Sequence, residues 1–206
     1  GVRSADLKPI EQMVYRELKR MTLAERNKYC HKLWKRGKLE EGALVCHVYR
    51  RFASECRACE FKLFERWIDR YVNNWAHCDG ISSWLLAACI ENEPALKAEL
   101  FGWTRSANRW KRRAAAVSLL QEAKKGRSSE EIFRIAGELA HDEDTMVQKG
   151  VGWLLKEAYP KRPEAVVEFL AETQPPRLVV RYAAEKMTAC DKARFGLASR
   201  RAGAAV

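Results

Sequence analysis

Apolar residues recur every three or four positions along most of the chain, and no segment alternates convincingly between apolar and polar residues. The first pattern is typical of helices that bury one face, whereas the second would indicate strands. The sequence therefore predicts an all-α protein. The predicted helices cover 5–19, 23–35, 39–53, 59–72, 76–90, 94–102, 107–124, 129–140, 144–158, 163–172 and 177–188.

Short breaks separate these helices. Thr22 has the side chain of an N-cap, Gly37 and Gly126 are typical helix ends, and Pro94 and Pro163 stand where helices restart. A helix, a short turn and another helix recur without an obvious long linker. This pattern favours HEAT-like helical repeats stacked as a curved α-solenoid with a concave basic groove, and a globular α-bundle is the alternative. We expect one domain over 1–197 and a flexible basic tail over 198–206.

Charge narrows the choice of partner. The 206 residues contain 38 Lys and Arg against 27 Asp and Glu, a formal net charge of +11. This excess points to a polyanion, although a basic protein without a nucleic-acid role fits it equally well. No apolar run approaches the length of a membrane span, and the first residues do not resemble a signal peptide. We therefore expect no membrane partner and a bacterial-type cytoplasmic location.

Seven scattered cysteines indicate reduced thiols rather than a disulfide framework. Cys56 and Cys59 have the C-x-x-C spacing of a metal or redox site. A tetrahedral zinc site needs four ligands, and no second pair is present at suitable spacing. We therefore interpret both as small residues of helix packing and predict no metal.

The predicted helix 144–158 carries a tryptophan away from its apolar stripe. That stripe consists of Val147, Val151, Leu154 and Ala158. Trp153 lies about 120° around the helix from it, while Lys149 and Lys156 lie nearly opposite the stripe. Trp153 is either partly covered by the next repeat or displayed for a ligand, and periodicity alone slightly favours packing.

A second tryptophan stands beside an acidic residue. Trp75 and Asp79 are four residues apart, so their side chains share one helix edge, which is turned away from the stripe of Ile81, Leu85 and Ala88. An indole beside a carboxylate could stabilise a cation. The alternative is an ordinary acidic residue near a helix start, favoured by the helix dipole.

The stretch 103–113 combines five cations with two tryptophans, as phosphate-binding surfaces do. Taken singly, Arg105, Arg109, Lys111 and Arg112 are each better explained by a solvated face. Arg113 differs, because it falls inside the apolar stripe of its helix. A guanidinium aimed at a core needs a partner, which could be an acidic residue on a neighbouring hairpin or a DNA phosphate.

Together these stretches resemble the AlkD-like DNA alkylation repair proteins, which are HEAT-like-repeat alkylpurine DNA glycosylases. The match rests on Asn74-Trp75-x-x-x-Asp79 and on the order and spacing of the segments 1–7, 74–79, 108–115, 148–157 and, more weakly, 177–186. The resemblance implies hydrolysis of the N-glycosidic bond of cationic N3- or N7-alkylated purines, such as 3-methyladenine and 7-methylguanine, in duplex DNA. It also implies that the lesion is not flipped out of the duplex.

The resemblance assigns site residues one by one. Its catalytic aspartate matches Asp79, its paired aromatic residues match Trp75 and Trp153, and its essential arginine matches Arg113, which could hold a phosphate beside the lesion. The predicted DNA-backbone contacts are Arg105, Arg109, Lys111, Arg112, Lys149, Lys156 and Arg181. We expect a monomer that needs no cofactor.

Two departures from the family pattern accompany this match. Relatives usually have a further helical hairpin before the segment 1–7, which we expect to be missing, and Ala76 stands where some relatives carry an acidic residue. Two other classes of function stay open, a DNA-binding relative without catalysis and a HEAT-like scaffold for acidic proteins. Asp79 together with both tryptophans argues against the first, and the off-stripe Trp153 and in-stripe Arg113 argue against the second.

Overall fold

The computed structural model describes residues 4–197, with side chains from Leu7 onward. Over this part of the chain every regular element is a helix, and no strand occurs. The predicted all-α fold class is confirmed. The chain divides into two compact units, Gly1–Ser118 and Leu119–Val206. The expected tail over 198–206 and the segment 1–3 lie outside the described residues, and the single domain over 1–197 stays a prediction.

The first unit is built from short helices joined by tight turns. Its elements are α1 (Ser4–Lys19), α2 (Leu23–Lys35), α3 (Leu39–Tyr49) with a 3₁₀ extension (Arg50–Glu55), α4 (Ala58–Tyr71), α5 (Trp75–Gly80), a π turn (Ile81–Leu86), α6 (Ala87–Asn92), a 3₁₀ turn (Pro94–Leu96), α7 (Lys97–Trp103) and α8 (Arg109–Val117). The predicted cap of α2 is present, because the Thr22 hydroxyl accepts from the Glu25 amide and the Glu25 carboxylate accepts from the Thr22 amide.

Large aromatic side chains fill the core of the first unit. Trp34, Tyr49, Phe61, Phe64 and Trp67 are fully buried, and most of these rings lie in tilted or edge-on contact with one another. Edge-on and offset contacts suit the quadrupole of aromatic rings. This core packs α2, α3 and α4 together and gives a fixed support to the helix that starts at Trp75.

That helix, 75–92, is interrupted by the π turn. A π turn closes i to i+5 hydrogen bonds and thereby inserts an extra residue into an α-helix, often at a functional site. Here Ile81, Ser82 and Ser83 are buried in succession, as the wider turn permits. The Ser83 hydroxyl donates to the carbonyl of Asp79 at 2.7 Å. The sequence prediction of one uninterrupted α-helix over 76–90 missed this feature.

The second unit comprises α9 (Leu120–Lys125), α10 (Ser129–Leu139), α11 (Thr145–Ala158), α12 (Pro163–Thr173), α13 (Arg177–Ala183), a 3₁₀ turn (Ala184–Lys186) and α14 (Ala189–Arg194). The predicted helix 107–124 is in fact α8 and α9, which are separated where Leu119 leaves helical geometry. No predicted helix covers α14, whose cap is Thr188. No helix among the described residues is long and apolar enough to cross a membrane.

Packing of α11 against α13 depends on a glycine. A Cβ at Gly152 would lie 2.5 Å from the Cβ of Tyr182 and 2.8 Å from the Val179 carbonyl oxygen. Neither atom belongs to the end of a flexible side chain, so the two helices would have to separate. Gly152 thus permits the close approach that fixes the helix of Trp153.

We expect Gly152→Ala to lower the free energy of unfolding by about 2 kcal/mol, because overpacking of a tight contact outweighs the better helix propensity of alanine. Gly102→Ala is the matched control, since Gly102 lies in α7 and a Cβ there would meet nothing within 4 Å. It should be neutral or stabilising. Urea denaturation of both variants tests the expectation, and equal stabilities would show that α11 and α13 separate at no cost.

Candidate functional site

A buried ion pair forms the centre of the candidate site in the first unit. Arg113, on α8, is 5% exposed, and its Nε and Nη2 atoms donate to Oδ1 and Oδ2 of Asp79, each at 2.8 Å. The Asp79 side chain is 14% exposed. This bidentate geometry is the strong form of an arginine–carboxylate pair. The partner that an in-stripe arginine requires is therefore an acidic residue of a neighbouring helix.

The ion pair fixes the side chain of Asp79. The capped start of α5 fixes the helix that carries it. The Asn74 side chain caps α5 by accepting from the His77 amide at 2.9 Å. His77 is buried and lies 2.8 Å, through Nε2, from the Leu39 carbonyl, and 3.1 Å, through Nδ1, from Nδ2 of Asn74. Since a carbonyl only accepts, Nε2 carries the proton and Nδ1 accepts from Asn74.

Burial lowers the pKa of His77 from its usual value, although the bond to the Leu39 carbonyl opposes the shift. A neutral imidazole is the form that both contacts require. Gly42 permits the contact, because a Cβ there would lie 2.6 Å from the His77 Nε2 atom. His77 thus connects α3 to the turn that presents Trp75 and Asp79, a role that was not predicted from the sequence. Its cap spacing from Asn74 was the one available signal.

Cys78, beside Asp79, is buried and donates from Sγ to the Trp110 carbonyl at 3.3 Å, which joins α5 to α8. Burial, reinforced by the charge of Asp79, raises the pKa of this thiol to about 12. A thiol in this form is a weak nucleophile. Cys78 therefore serves packing, and the chemical groups of this site are those of Asp79 and Arg113.

Trp75 is the first residue of α5, and it is 59% exposed. Large apolar side chains are normally buried, so an indole displayed to this degree is unusual. Trp75 and Asp79 are one turn apart on the same helix, which places both at one edge of it. The structure thus leaves this indole available to a ligand, as the interpretation of the Trp75–Asp79 pair requires.

Trp153 belongs to the second unit, where it is half-buried on α11. Its Nε1 atom donates to Oε1 of Glu157 at 3.2 Å, and Nζ of Lys156 lies 6.0 Å from its ring centroid. The side chain is neither covered completely nor fully displayed. The prediction that Trp75, Asp79, Arg113 and Trp153 meet in one groove stays a prediction.

Two of the predicted DNA-binding lysines are ion-paired within the protein. Nζ of Lys111 lies 2.9 Å from carboxylate oxygens of both Glu65 and Asp69, and Nζ of Lys156 lies 2.8 Å from Glu185. Both lysine side chains are less than one-fifth exposed. To contact a phosphate, either ammonium group would have to exchange a carboxylate for it.

The predicted DNA-binding arginines near α8 differ in their surroundings. Nη1 of Arg112 donates to the carbonyls of Ser106 and Ala107 at 2.8 and 3.3 Å. The guanidinium of Arg109 stacks on the ring of Trp110, at 4.5 Å from the centroid.

The other three predicted contacts are Arg105, Lys149 and Arg181. Arg105 and Arg181 are exposed, while Lys149 is half-buried, and no carboxylate among the described residues pairs with any of the three. Their role in binding DNA stays a prediction.

Cys56 and Cys59 do not share a face, since Cys56 is buried and Cys59 is exposed. The interpretation as packing residues therefore fits Cys56 and not Cys59. Among residues 4–197, no group of three or more histidine, cysteine or acidic side chains is arranged to hold a metal ion. All seven cysteines are free.

Fold and site together define an all-α protein in which a buried arginine orients one carboxylate beside a displayed indole. The model of the family described as DNA alkylation repair enzymes matches residues 1–187. The chain therefore belongs to the family of DNA alkylation repair enzymes, as the resemblance predicted. No curated protein matches the sequence.

Two solved structures share the fold. One is a predicted DNA alkylation repair enzyme from Enterococcus faecalis, with a TM-score of 0.82 at 14% identity, covering 91% of this chain and 87% of that one. The other is the protein smu.31 from Streptococcus mutans, with a TM-score of 0.68 at 18% identity, covering 89% of this chain and 94% of that one. At these identities the likeness concerns the fold alone.

Proposed function

We propose that this protein is a DNA glycosylase that hydrolyses the N-glycosidic bond of cationic N3- or N7-alkylated purines in duplex DNA. The observation that carries the proposal is the bidentate Arg113–Asp79 pair, with the displayed indole of Trp75 one helical turn away. Membership in a DNA alkylation repair family supplies the biological context. 3-Methyladenine and 7-methylguanine are the proposed substrates.

The proposed chemistry uses the charge that alkylation places on the base. When the bond between the purine nitrogen and C1′ breaks, its electron pair leaves with the cationic base, which departs neutral. An oxocarbenium-like sugar is left, as in glycoside hydrolysis. Water then forms the new bond to C1′ and loses a proton. The Asp79 carboxylate stabilises the sugar cation and orients this water.

In the proposed mechanism, Arg113 orients the Asp79 carboxylate. Because two N–H groups of the guanidinium bind the two oxygens of Asp79, the carboxylate cannot rotate freely and its position relative to C1′ is set before DNA binds. The resemblance further assigns Arg113 to a phosphate beside the lesion, and we retain that contact as a proposal. No metal or organic cofactor takes part.

Trp75 and Trp153 are proposed to lie against the deoxyribose of the lesion and to offer π faces to the cation. In this proposal the enzyme approaches the lesion from the DNA-backbone side and leaves it in the duplex. A base-flipping enzyme instead moves the base out of the duplex into a pocket. We further propose that the protein acts as a monomer in the cytoplasm. The residues proposed to bind the DNA backbone on either side of the lesion are Arg105, Arg109, Lys111, Arg112, Lys149, Lys156 and Arg181.

These cations should make duplex binding strongly salt-dependent, because phosphate neutralisation releases counterions. We expect Lys149→Ala to weaken binding to all sequences alike and to reduce the slope of log K against log salt by about one unit. Lys111→Ala is the comparison, since its ammonium already faces two carboxylates and should release fewer counterions. Fluorescence anisotropy over a salt series measures both slopes, and a sequence-dependent loss would contradict backbone contact by Lys149.

The proposed function is tested by incubating the protein with a duplex that contains one 7-methylguanine and analysing the products. A glycosylase yields the free base and an abasic strand. Salt-sensitive duplex binding without release would identify a DNA-binding relative that lacks catalysis. Absence of duplex binding would instead favour a scaffold for acidic proteins.

A further inference from the structure

A buried carboxylate in the second unit has no part in the chemistry above. Glu157, near the end of α11, is 7% exposed. A charged group removed from water needs close partners. Glu157 has two: its Oε2 atom accepts from Nζ of Lys186 at 2.5 Å, and its Oε1 atom accepts from Nε1 of Trp153 at 3.2 Å.

Burial acts to raise the pKa of Glu157, but the hydrogen bond and charge of Lys186, together with the charge of Lys124 and the hydrogen bond from Trp153, outweigh it, and the pKa lies below its usual value. The group is therefore a carboxylate at neutral pH. A hydrogen bond to a charged acceptor is stronger than one between neutral groups. Lys186 thus maintains the form of Glu157 that holds the indole best.

Two ion pairs that involve residues of α11 near Trp153 reach the same turn. Glu157 binds Lys186, and the preceding residue of α11, Lys156, binds Glu185 at 2.8 Å. Glu185 and Lys186 are adjacent in the 3₁₀ turn (Ala184–Lys186), so both salt bridges join α11 to this turn. The lysine belongs to α11 in one pair and to the turn in the other. Oε1 of Glu157 accepts from the Trp153 indole N–H, and Nζ of Lys156 lies 6.0 Å from the centroid of the same ring.

We propose that Glu157, held by Lys186, is a positioning residue that sets the plane of the Trp153 indole. The inference rests on the proposed role of Trp153 against the deoxyribose of the lesion. A half-buried indole without this contact could turn about its side-chain bonds. With the contact, the ring enters the complex already oriented, and less of the binding energy is lost in ordering it.

The test compares three variants at the two ion pairs. Glu157→Leu removes the acceptor for the indole. Glu157→Gln keeps an acceptor oxygen but loses the charge. Glu185→Gln weakens the other pair without touching the indole N–H, and it is the matched control. Lys186 is 44% exposed, so its ammonium can turn to water when Glu157 is replaced.

The first measurement uses the free protein and requires no activity. The Trp153 indole N–H resonance is followed by NMR, and its exchange with solvent is compared among the variants. In Glu157→Leu we expect exchange to become about tenfold faster, because a hydrogen bond to a charged group is lost. Glu157→Gln should recover most of the protection, and Glu185→Gln should match the unmodified protein.

The second measurement is single-turnover base release with DNA affinity measured in parallel. Glu157→Leu should release base about tenfold more slowly with nearly unchanged affinity, and Glu157→Gln should restore most of the rate. If the Glu157–Lys186 pair only stabilises the fold, Glu157→Leu should lower the stability of the protein but leave indole exchange and base release by the folded fraction unchanged. This result would overturn the inference. If no protein releases base while the exchange pattern holds, the proposed function fails and the positioning of Trp153 by Glu157 is supported.

Discussion

Replacing Asp79 by asparagine is expected to lower single-turnover release of 7-methylguanine about a hundredfold, with little change in duplex affinity. The carboxamide keeps the size of the side chain and one acceptor oxygen, but it loses the charge that stabilises the sugar cation. Duplex affinity should be retained because contacts between other residues and the DNA phosphates dominate it. The measurement is a single-turnover time course, with the folded fraction determined from the thermal unfolding curve.

The control for this experiment is Asp69→Asn. Asp69 lies in the same unit and pairs with Lys111, so its replacement changes the net charge equally without touching Asp79. It should release base at the normal rate. Near-normal release by folded Asp79→Asn would remove Asp79 from the mechanism. A lower stability with unchanged turnover would identify it as only the partner of Arg113.

Replacing Arg113 by methionine should lower the free energy of unfolding by about 3 kcal/mol, because the mostly buried Asp79 carboxylate loses both donors. The double variant with Asp79→Asn should be less destabilised than the sum of the two single variants, since the unpaired charge is then absent. Urea denaturation of the four proteins gives the coupling energy directly.

Arg109→Met serves as the comparison for this cycle. Arg109 is exposed and stacks on Trp110, so its loss should cost about 1 kcal/mol or less. If Arg113→Met were no more destabilising than Arg109→Met, or if the cycle showed additivity, the ion pair would contribute nothing to the stability of the site.

Those parts of the fold that follow from local periodicity were predictable. Helices α2 and α11 lie close to where the apolar repeat places them, and the capping signal of Thr22 was sufficient for the start of α2. Periodicity also identified Arg113 as anomalous, because a cation inside an apolar stripe contradicts the pattern around it. The burial of Arg113 confirms that interpretation.

What the sequence could not show depends on residues distant along the chain. Asp79 stands 34 positions before Arg113, and neither residue carries a signal that selects the other. The pairing of Lys111 with Glu65 and Asp69 is equally non-local, so a cluster that looked free to bind phosphate is partly neutralised. The π turn arises where tertiary packing favours an inserted residue over regular hydrogen bonding.

The same limit applies to Glu157. Glu157 follows Trp153 by four positions, and Trp153 could be identified from the sequence, but the role of Glu157 depends on Lys186 from another element. Without Lys186 the buried carboxylate of Glu157 would lose the cation that is hydrogen-bonded to it. The sequence could therefore propose which groups act on the substrate, but it could not identify the residues that orient them.

Glycosylase activity is tested most directly by the rate of free-base release from a duplex with one 7-methylguanine, compared with spontaneous depurination of the same duplex. The unmodified protein should release free 7-methylguanine and leave an intact strand with an abasic site, at a rate well above the spontaneous one. Release at the spontaneous rate, with the duplex demonstrably bound, would contradict the proposed function and identify a DNA-binding protein without glycosylase activity.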